Sequence, residues 1–243
     1  MQKRKGLAGQ GLIEYALILA GVALAVFLTL NITGMSIRDV YCQVNNSFGG
    51  TACDANKNCS FSFESASELD AWEGSASDRL TLENGKACIT GDGKTADSYL
   101  NPSCSDSLPS DDYSITLSDV TVNKEVGNKN TGFDTWFRAQ DDENGYLFIY
   151  NTGGNYVRFW KIVNGKWIRL AHKNVPASWN TQELNFRIDI QGDTFTAYQG
   201  GEMLLQTSDS AYPSGQVGIR NKPSSKSCIG GISVENIPSE EAK

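Results

Sequence analysis

Between residues 132 and 191, aromatic and arginine side chains recur at every second position. One phase holds Trp136 and Arg138, then Tyr146, Phe148 and Tyr150, then Tyr156, Arg158 and Trp160, then Trp167 and Arg169, and last Asn185, Arg187 and Asp189. Flat rings stack on the apolar faces of sugars while Arg, Asn and Asp bond hydroxyls, so this phase suits a face that binds a glycan or another polymer. The candidates for that contact are Trp136, Arg138, Tyr146, Tyr150, Arg158, Trp160, Trp167 and Arg187. The same residues also suit a second arrangement, rings packed under loops with guanidinium groups laid over them. The opposite phase reads Phe133, Thr135, Phe137, Leu147, Ile149, Val157, Phe159, Ile168, Leu170, Leu184, Phe186, Ile188 and Ile190, which is a core face.

Catalytic chemistry finds less support. Glycoside hydrolysis needs two carboxylates facing one bond, whereas Asp189 shares its phase with Arg187 and reads as half of an ion pair. No G-x-S-x-G, H-E-x-x-H or P-loop pattern occurs, and His172 stands alone at a strand end. The chain reads as a binding protein, not an enzyme. Asp141, Asp142 and Glu143 with Asn144 crowd one turn. Such oxygen-rich groups suit Ca²⁺, and they equally suit a solvated hairpin tip.

Short alternating runs separated by turn residues place these side chains on strands. The runs are 61–64, 113–122, 132–140, 145–150, 156–163, 167–172, 183–191, 194–199, 215–220 and 232–237. Turn pairs at 144–145, 153–154, 164–165, 192–193 and 200–201 lie between several of them. Ten or more strands without helical periodicity predict an all-β antiparallel sandwich over 60–238, followed by a short tail at 239–243.

The 243 residues allow this domain and an appendage, and the net charge of −7 argues against a nucleic-acid partner. The appendage is N-terminal. Lys3, Arg4 and Lys5 precede a run from Tyr15 to Ile37 of 23 residues without a charge, long enough for a membrane-spanning helix with its far end outside. The run is too long for a signal peptide and no A-x-A cleavage site follows it. A plain anchor leaves Glu14 unexplained, because a carboxylate at the start of an apolar helix is costly without a partner. Six cysteines, Cys42, Cys53, Cys59, Cys88, Cys104 and Cys228, all follow the run, which suits disulfides in an oxidising compartment. Three of them bracket a Gly/Asn/Ser-rich linker at 47–59.

Two resemblances sharpen this reading. The residues G-Q-G-L-I-E-Y at 9–15, ahead of an aliphatic helix, resemble the Flp (tight-adherence) subclass of type IV pilins. The resemblance implies a leader at 1–9, cleavage between Gly9 and Gln10 by a prepilin peptidase, and an assembly helix at 10–46. In a filament the new α-amino group of one subunit would neutralise Glu14 of another, with Tyr15 beside it. The implied partners are identical or related pilin subunits, the pilus assembly machinery and, before assembly, the cytoplasmic membrane. The implied location is an extracellular filament. Flp pilins are usually little more than the helix, so about 180 further residues are a departure that leaves major and minor subunit roles both open.

The order GFDTWFRAQDDENGYLFIYN, VRFWKIVNGKWIRL and ISVENI resembles the concanavalin A-like (laminin G-like) jelly roll. That fold implies two stacked sheets, adjacent first and last strands, a concave carbohydrate-facing sheet and, in laminin G-like modules, Ca²⁺ at the rim loops. Adjacent termini would leave Cys59 for Cys228 if Cys88 and Cys104 staple the segment between them. The combined expectation is a pilin subunit displaying a lectin-like domain. Its rivals are a membrane-anchored glycan-binding surface protein and a glycan hydrolase.

Overall fold

A computed structural model describes residues 59–74, 77–91, 96–100, 112–124 and 131–237. The chain divides into two compact units, Met1–Asn56 and Lys57–Lys243, and every described residue belongs to the second. The expected leader, assembly helix, Gly9, Gln10, Glu14, Tyr15, Cys42, Cys53, Cys104 and tail lie outside the described residues, as does the linker apart from Cys59. Among the described residues no helix is long and apolar enough to cross a membrane.

Among the described residues sixteen strands, numbered in chain order, form two antiparallel sheets. The first sheet contains β1 (Cys59–Phe61), β3 (Leu80–Glu83), β4 (Lys86–Thr90), β6 (Tyr113–Lys124), β11 (Leu184–Gln191), β12 (Thr194–Gln199), β13 (Glu202–Ser208), β15 (Ser225–Ile229) and β16 (Gly231–Asn236). The second contains β2 (Trp72–Glu73), β5 (Ala96–Leu100), β7 (Gly132–Asp141), β8 (Asn144–Asn151), β9 (Tyr156–Val163), β10 (Lys166–Asn174) and β14 (Gln216–Asn221), in the order β10-β9-β8-β7-β14-β5-β2. Strand β6 takes β11 along one edge; along the other it takes β16 and then β15. The break between those two partners falls at Asp119, which has φ 52°, and at Gly230, whose N–H donates to the Ser118 carbonyl at 2.8 Å.

The first and last strands are neighbours, as the jelly-roll resemblance implies: Cys59, Ser60 and Phe61 pair with Val234, Ser233 and Ile232. The sequence reading missed the β3–β4 hairpin, whose Asn84-Gly85 turn has φ of 52° and 72°, and also strands β13 and β15.

The core forms because each sheet turns one apolar face inward. In β11, Leu184, Phe186, Ile188 and Ile190 are buried while Asn185 and Arg187 are exposed. Opposite them, Phe137, Tyr146, Phe148 and Phe159 of the second sheet complete a ring cluster. Phe137 meets Phe195 at 5.0 Å and Phe148 meets Phe186 at 5.4 Å between centroids. Gly132 is required where β7 passes β8, since a Cβ there would lie 2.2 Å from the Tyr150 carbonyl oxygen.

Candidate functional site on the outer face of the second sheet

Residues directly opposite in an antiparallel ladder share a face, so the register defines the outer face of the second sheet. One row runs Trp136, Leu147, Trp160, Arg169, and the next runs Asp134, Ile149, Arg158, His172. The centre of this face is a small second core: Trp136, Ala139, Leu147, Ile149 and Ile162 are buried, with Tyr156 and Trp160 packed against them. Arg220 of β14 and Trp167 of β10 meet above it, guanidinium to ring centroid 4.9 Å, although three strands separate them in the sheet. Strand spacing alone would put their backbones about 19 Å apart, so both side chains lie across the face and close over its middle.

The β9–β10 margin remains accessible. Trp167 is 38% exposed and Arg169 and His172 are exposed, while Tyr156, Arg158 and Trp160 are half-buried. Arg158 is held in place: its guanidinium lies 3.7 Å from the Tyr156 ring centroid and 5.7 Å from that of Trp160, and Nε donates to His172 Nδ1 at 3.0 Å. Because that imidazole nitrogen accepts, the His172 proton sits on Nε2, as a donor. Trp160 and Trp167 meet edge to face at 5.7 Å. A bulge between Arg169 and Ala171 turns Leu170 toward the core and returns His172 to the outer face. The margin therefore combines indole and phenol rings, a guanidinium fork and an imidazole on one pair of strands.

Three residues of this face carry a signal the sequence reading did not use. Asp134 is fully buried, with Lys222 Nζ at 2.8 Å and Arg220 Nε at 3.9 Å. An acid inside the apolar run GFDTWF, on the phase of Trp136, marks such a site, because a buried carboxylate needs cations beside it.

The structure scatters the other sequence candidates. Trp136 lies on the expected face but is buried in its small core. Tyr146 and Tyr150 are corrected: they point inward, where Phe137 stacks on Tyr146 at 5.4 Å and the Tyr150 hydroxyl donates to Asn180 Oδ1. Leu147 and Ile149, read as core-facing, take the outer face. Arg138 is also corrected. It adopts φ 48° beside a register shift in β7 and is buried, its guanidinium 5.6 Å from the Phe195 ring and donating to the Tyr212 carbonyl. Arg187 belongs to the first sheet, where it stacks on Tyr198 at 4.3 Å and pairs with Asp189 at 3.1 Å, so it joins no common face with Trp160. Ile168 is 39% exposed, at the edge of the sandwich.

The acidic turn serves its own hairpin. Asp141 accepts from the Glu143 N–H at 2.8 Å and from Asn144 Nδ2 at 2.9 Å and 3.0 Å, closing a two-residue turn at Asp142 and Glu143. Asp141 is thus engaged within its own hairpin, and among the described residues no group of three His, Cys, Asp or Glu side chains is placed to hold a metal ion.

The expected cysteine pairing is overturned. Cys88 is bonded to Cys228, its direct register partner in the β4–β15 ladder, with Cα atoms 4.0 Å apart. Cys59 is disulfide-bonded as well.

A network below the β8–β9 hairpin holds the margin's strands. Asp209 receives Lys161 Nζ at 2.5 Å, the Tyr146 hydroxyl at 2.7 Å and the Ala211 N–H at 3.0 Å. Burial pushes the Asp209 carboxyl up, but the bonds from Lys161, Tyr146 and Ala211 outweigh it and leave the group below its ordinary value. The Tyr212 hydroxyl ties the same segment to β9 by donating to the Ile162 carbonyl at 2.9 Å.

The two sheets form an antiparallel β-sandwich whose fold is shared with solved carbohydrate-binding domains. Similar solved structures include the carbohydrate-binding module CBM66 from Bacillus subtilis, with TM-score 0.54 and 20% identity over 68% of this chain and 96% of that one. The metal-free Emp46p carbohydrate recognition domain matches with TM-score 0.57 and 13% identity over 75% of this chain and 97% of that one. The VIP36 exoplasmic domain in its Ca²⁺/Man2-bound form matches with TM-score 0.54 and 13% identity over 75% and 89%. In sequence, the chain is 28% identical over 143 residues to a levanase of Bacillus subtilis (strain 168), a match covering 57% of this chain and 20% of the levanase. The chain thus spans about a fifth of that relative's length. No protein-family model matches it.

Proposed function

We propose that this protein is a carbohydrate-binding protein of the cell surface, and that its β-sandwich binds glycans without cleaving them. The observation that carries this reading is the β9–β10 margin, where Tyr156, Arg158, Trp160, Trp167 and His172 present rings and donors together on a lectin-like sandwich. The likeness to CBM66 and to carbohydrate recognition domains supports the ligand class. A binding role without cleavage is supported by Asp134, whose carboxylate is buried and held by Lys222 instead of facing a ligand.

We assign the apolar segment at 10–46 the task of holding the domain at the membrane. The G-Q-G-L-I-E-Y motif favours a second step, in which Gly9–Gln10 cleavage releases the subunit into a filament paired through Glu14. Mass spectrometry of the surface protein separates the two: an N-terminus at Gln10 supports assembly, and one at Met1 leaves a plain anchor.

Levan and mannose-containing oligosaccharides are the first probes for the binding site. A ring contact is worth about 1 kcal/mol, so a Trp160→Ala, Trp167→Ala double variant should lose about 2 kcal/mol, roughly 30-fold in Kd. A folded double variant that binds as well as the parent would refute the site.

A further inference from the structure

The aromatic margin is also the most basic stretch of an acidic protein. From Tyr156 to Asn174 the chain carries Arg158, Lys161, Lys166, Arg169 and Lys173 and no acidic residue, although its net charge is −7. Lys161 is committed to Asp209. Among the described residues, no carboxylate pairs with Arg158, Lys166, Arg169 or Lys173. Elsewhere the described cations are commonly matched: Lys86 with Glu183, Arg187 with Asp189, Lys222 with Asp134 and Lys226 with Glu83. The β9–β10 margin thus departs from the pattern of the domain in exposing charge of one sign.

Two of its cations stand on the outer face with the rings. Arg158 and Arg169 occupy adjacent rows, opposite His172 and Trp160, so their backbones are about 7 Å apart along the strands. Arg158 spends only Nε on the protein and keeps its planar Nη pair for a ligand, oriented by the Tyr156 ring beneath it. A fork fixed in this way matches a carboxylate or another planar or tetrahedral oxyanion in two parallel bonds.

We infer that the β9–β10 margin selects anionic polysaccharides, chains whose sugars bear carboxylate or sulfate groups, with Arg158 as the oxyanion fork and Arg169 as a second cation. This rests on the glycan-binding reading of the same face and narrows its ligand class. A nucleic acid offers anions and rings too, but its dense charge meets a domain acidic elsewhere, whereas spaced acidic sugars leave pyranose faces for Trp160 and Trp167.

The test measures binding of the full chain to immobilised polygalacturonate, dextran sulfate, neutral dextran, levan and single-stranded DNA, at about 0.05 M and about 0.5 M NaCl. Polygalacturonate or dextran sulfate should bind at least about tenfold more tightly than the neutral polymers at low salt, and lose most of that margin at high salt. Preference for the first identifies carboxylate as the anionic group, and for the second, sulfate. Arg158→Lys, which keeps the charge but loses the fork, should weaken carboxylate binding nearly as much as Arg158→Gln, and Arg169→Gln should weaken it about threefold or more. Levan or dextran binding as tightly as the acidic polymers would overturn this inference and leave the glycan reading standing. Single-stranded DNA binding more tightly than either acidic polymer would also overturn it, and binding to no polysaccharide would overturn both.

Discussion

Replacing Asp209 with Asn removes one charge from the network that holds strands β8 and β9 and changes little else in shape. Asn Oδ1 can still accept from the Tyr146 hydroxyl and the Ala211 N–H, while its amide faces the Lys161 ammonium that had its counter-ion there. The Lys161 and Asp209 side chains are 18% and 14% exposed. Breaking a fully buried pair costs about 3–5 kcal/mol and an exposed one about 0.2–1 kcal/mol, so this intermediate case should cost about 2 kcal/mol. Asp209→Ala also removes the side-chain acceptor of the Tyr146 hydroxyl and the Ala211 N–H, leaving that hydroxyl only its 3.2 Å bond to the Asp209 carbonyl, which adds about 1 kcal/mol. The Asp209 carboxyl lies below its ordinary value in the folded state. Its stabilisation is therefore complete above the ordinary value of 3.8 and fades as pH falls through the lower folded value. Urea unfolding of parent and variants with disulfides intact reads this out at about pH 7 and again near pH 2.5. At neutral pH the midpoint of thermal unfolding should drop by about 4–8 °C for the Asn variant, and the gap to the parent should narrow in acid. A gap unchanged by pH, or an Asn variant as damaged as the Ala one, would refute the assignment of the ion pair.

Two further outcomes follow from the same chemistry. The Cys88–Cys228 bond closes a loop with a sequence separation of 140 between two buried positions, so Cys88→Ala, Cys228→Ala should cost about 2–5 kcal/mol in urea unfolding. Glu68 accepts the backbone N–H groups of Ser62, Phe63, Glu64 and Ser65 and fixes a turn that holds Phe63 at φ 54°. Its replacement by Ala should cost about 1–2 kcal/mol and raise amide exchange across 62–65.

Much of the sandwich was legible because its strands have unlike faces. Strand β11 reads Leu-Asn-Phe-Arg-Ile-Asp-Ile-Gln, and its alternation matches its burial residue by residue. Strand β8 was misread for the opposite reason. Tyr-Leu-Phe-Ile-Tyr is apolar at every position because both of its faces are covered, so a period of two leaves no trace. Sorting by chemical type then sent the tyrosines outward, whereas the two-residue turn at Asp142 and Glu143 puts Phe137 on the face of Tyr146 and Phe148. Arg138 misled in another way: an arginine at a register shift was free to turn inward, and a buried guanidinium between a ring and a carbonyl has no signature in spacing. Arg187 shows a third limit. Its strand alternates as expected, but alternation does not say which sheet a strand joins. The proposed site lies on the neighbouring pair β9 and β10, where the sequence offers Arg158, Trp160 and Trp167 as candidates and gives no reason to include His172.

The central claim is that a glycan binds at the β9–β10 margin. The most direct measurement follows the indole N–H signals of the full chain by NMR during titration with soluble oligosaccharides, neutral and acidic. The account predicts that the Trp160 and Trp167 signals move saturably with ligand, while that of Trp72, buried against the opposite side of the sheet, stays fixed. Saturable binding that leaves both margin indoles unmoved would contradict it. So would shifts centred instead on the hydroxyl-lined hollow of the first sheet, where Ser60, Ser62, Thr116 and Ser233 gather.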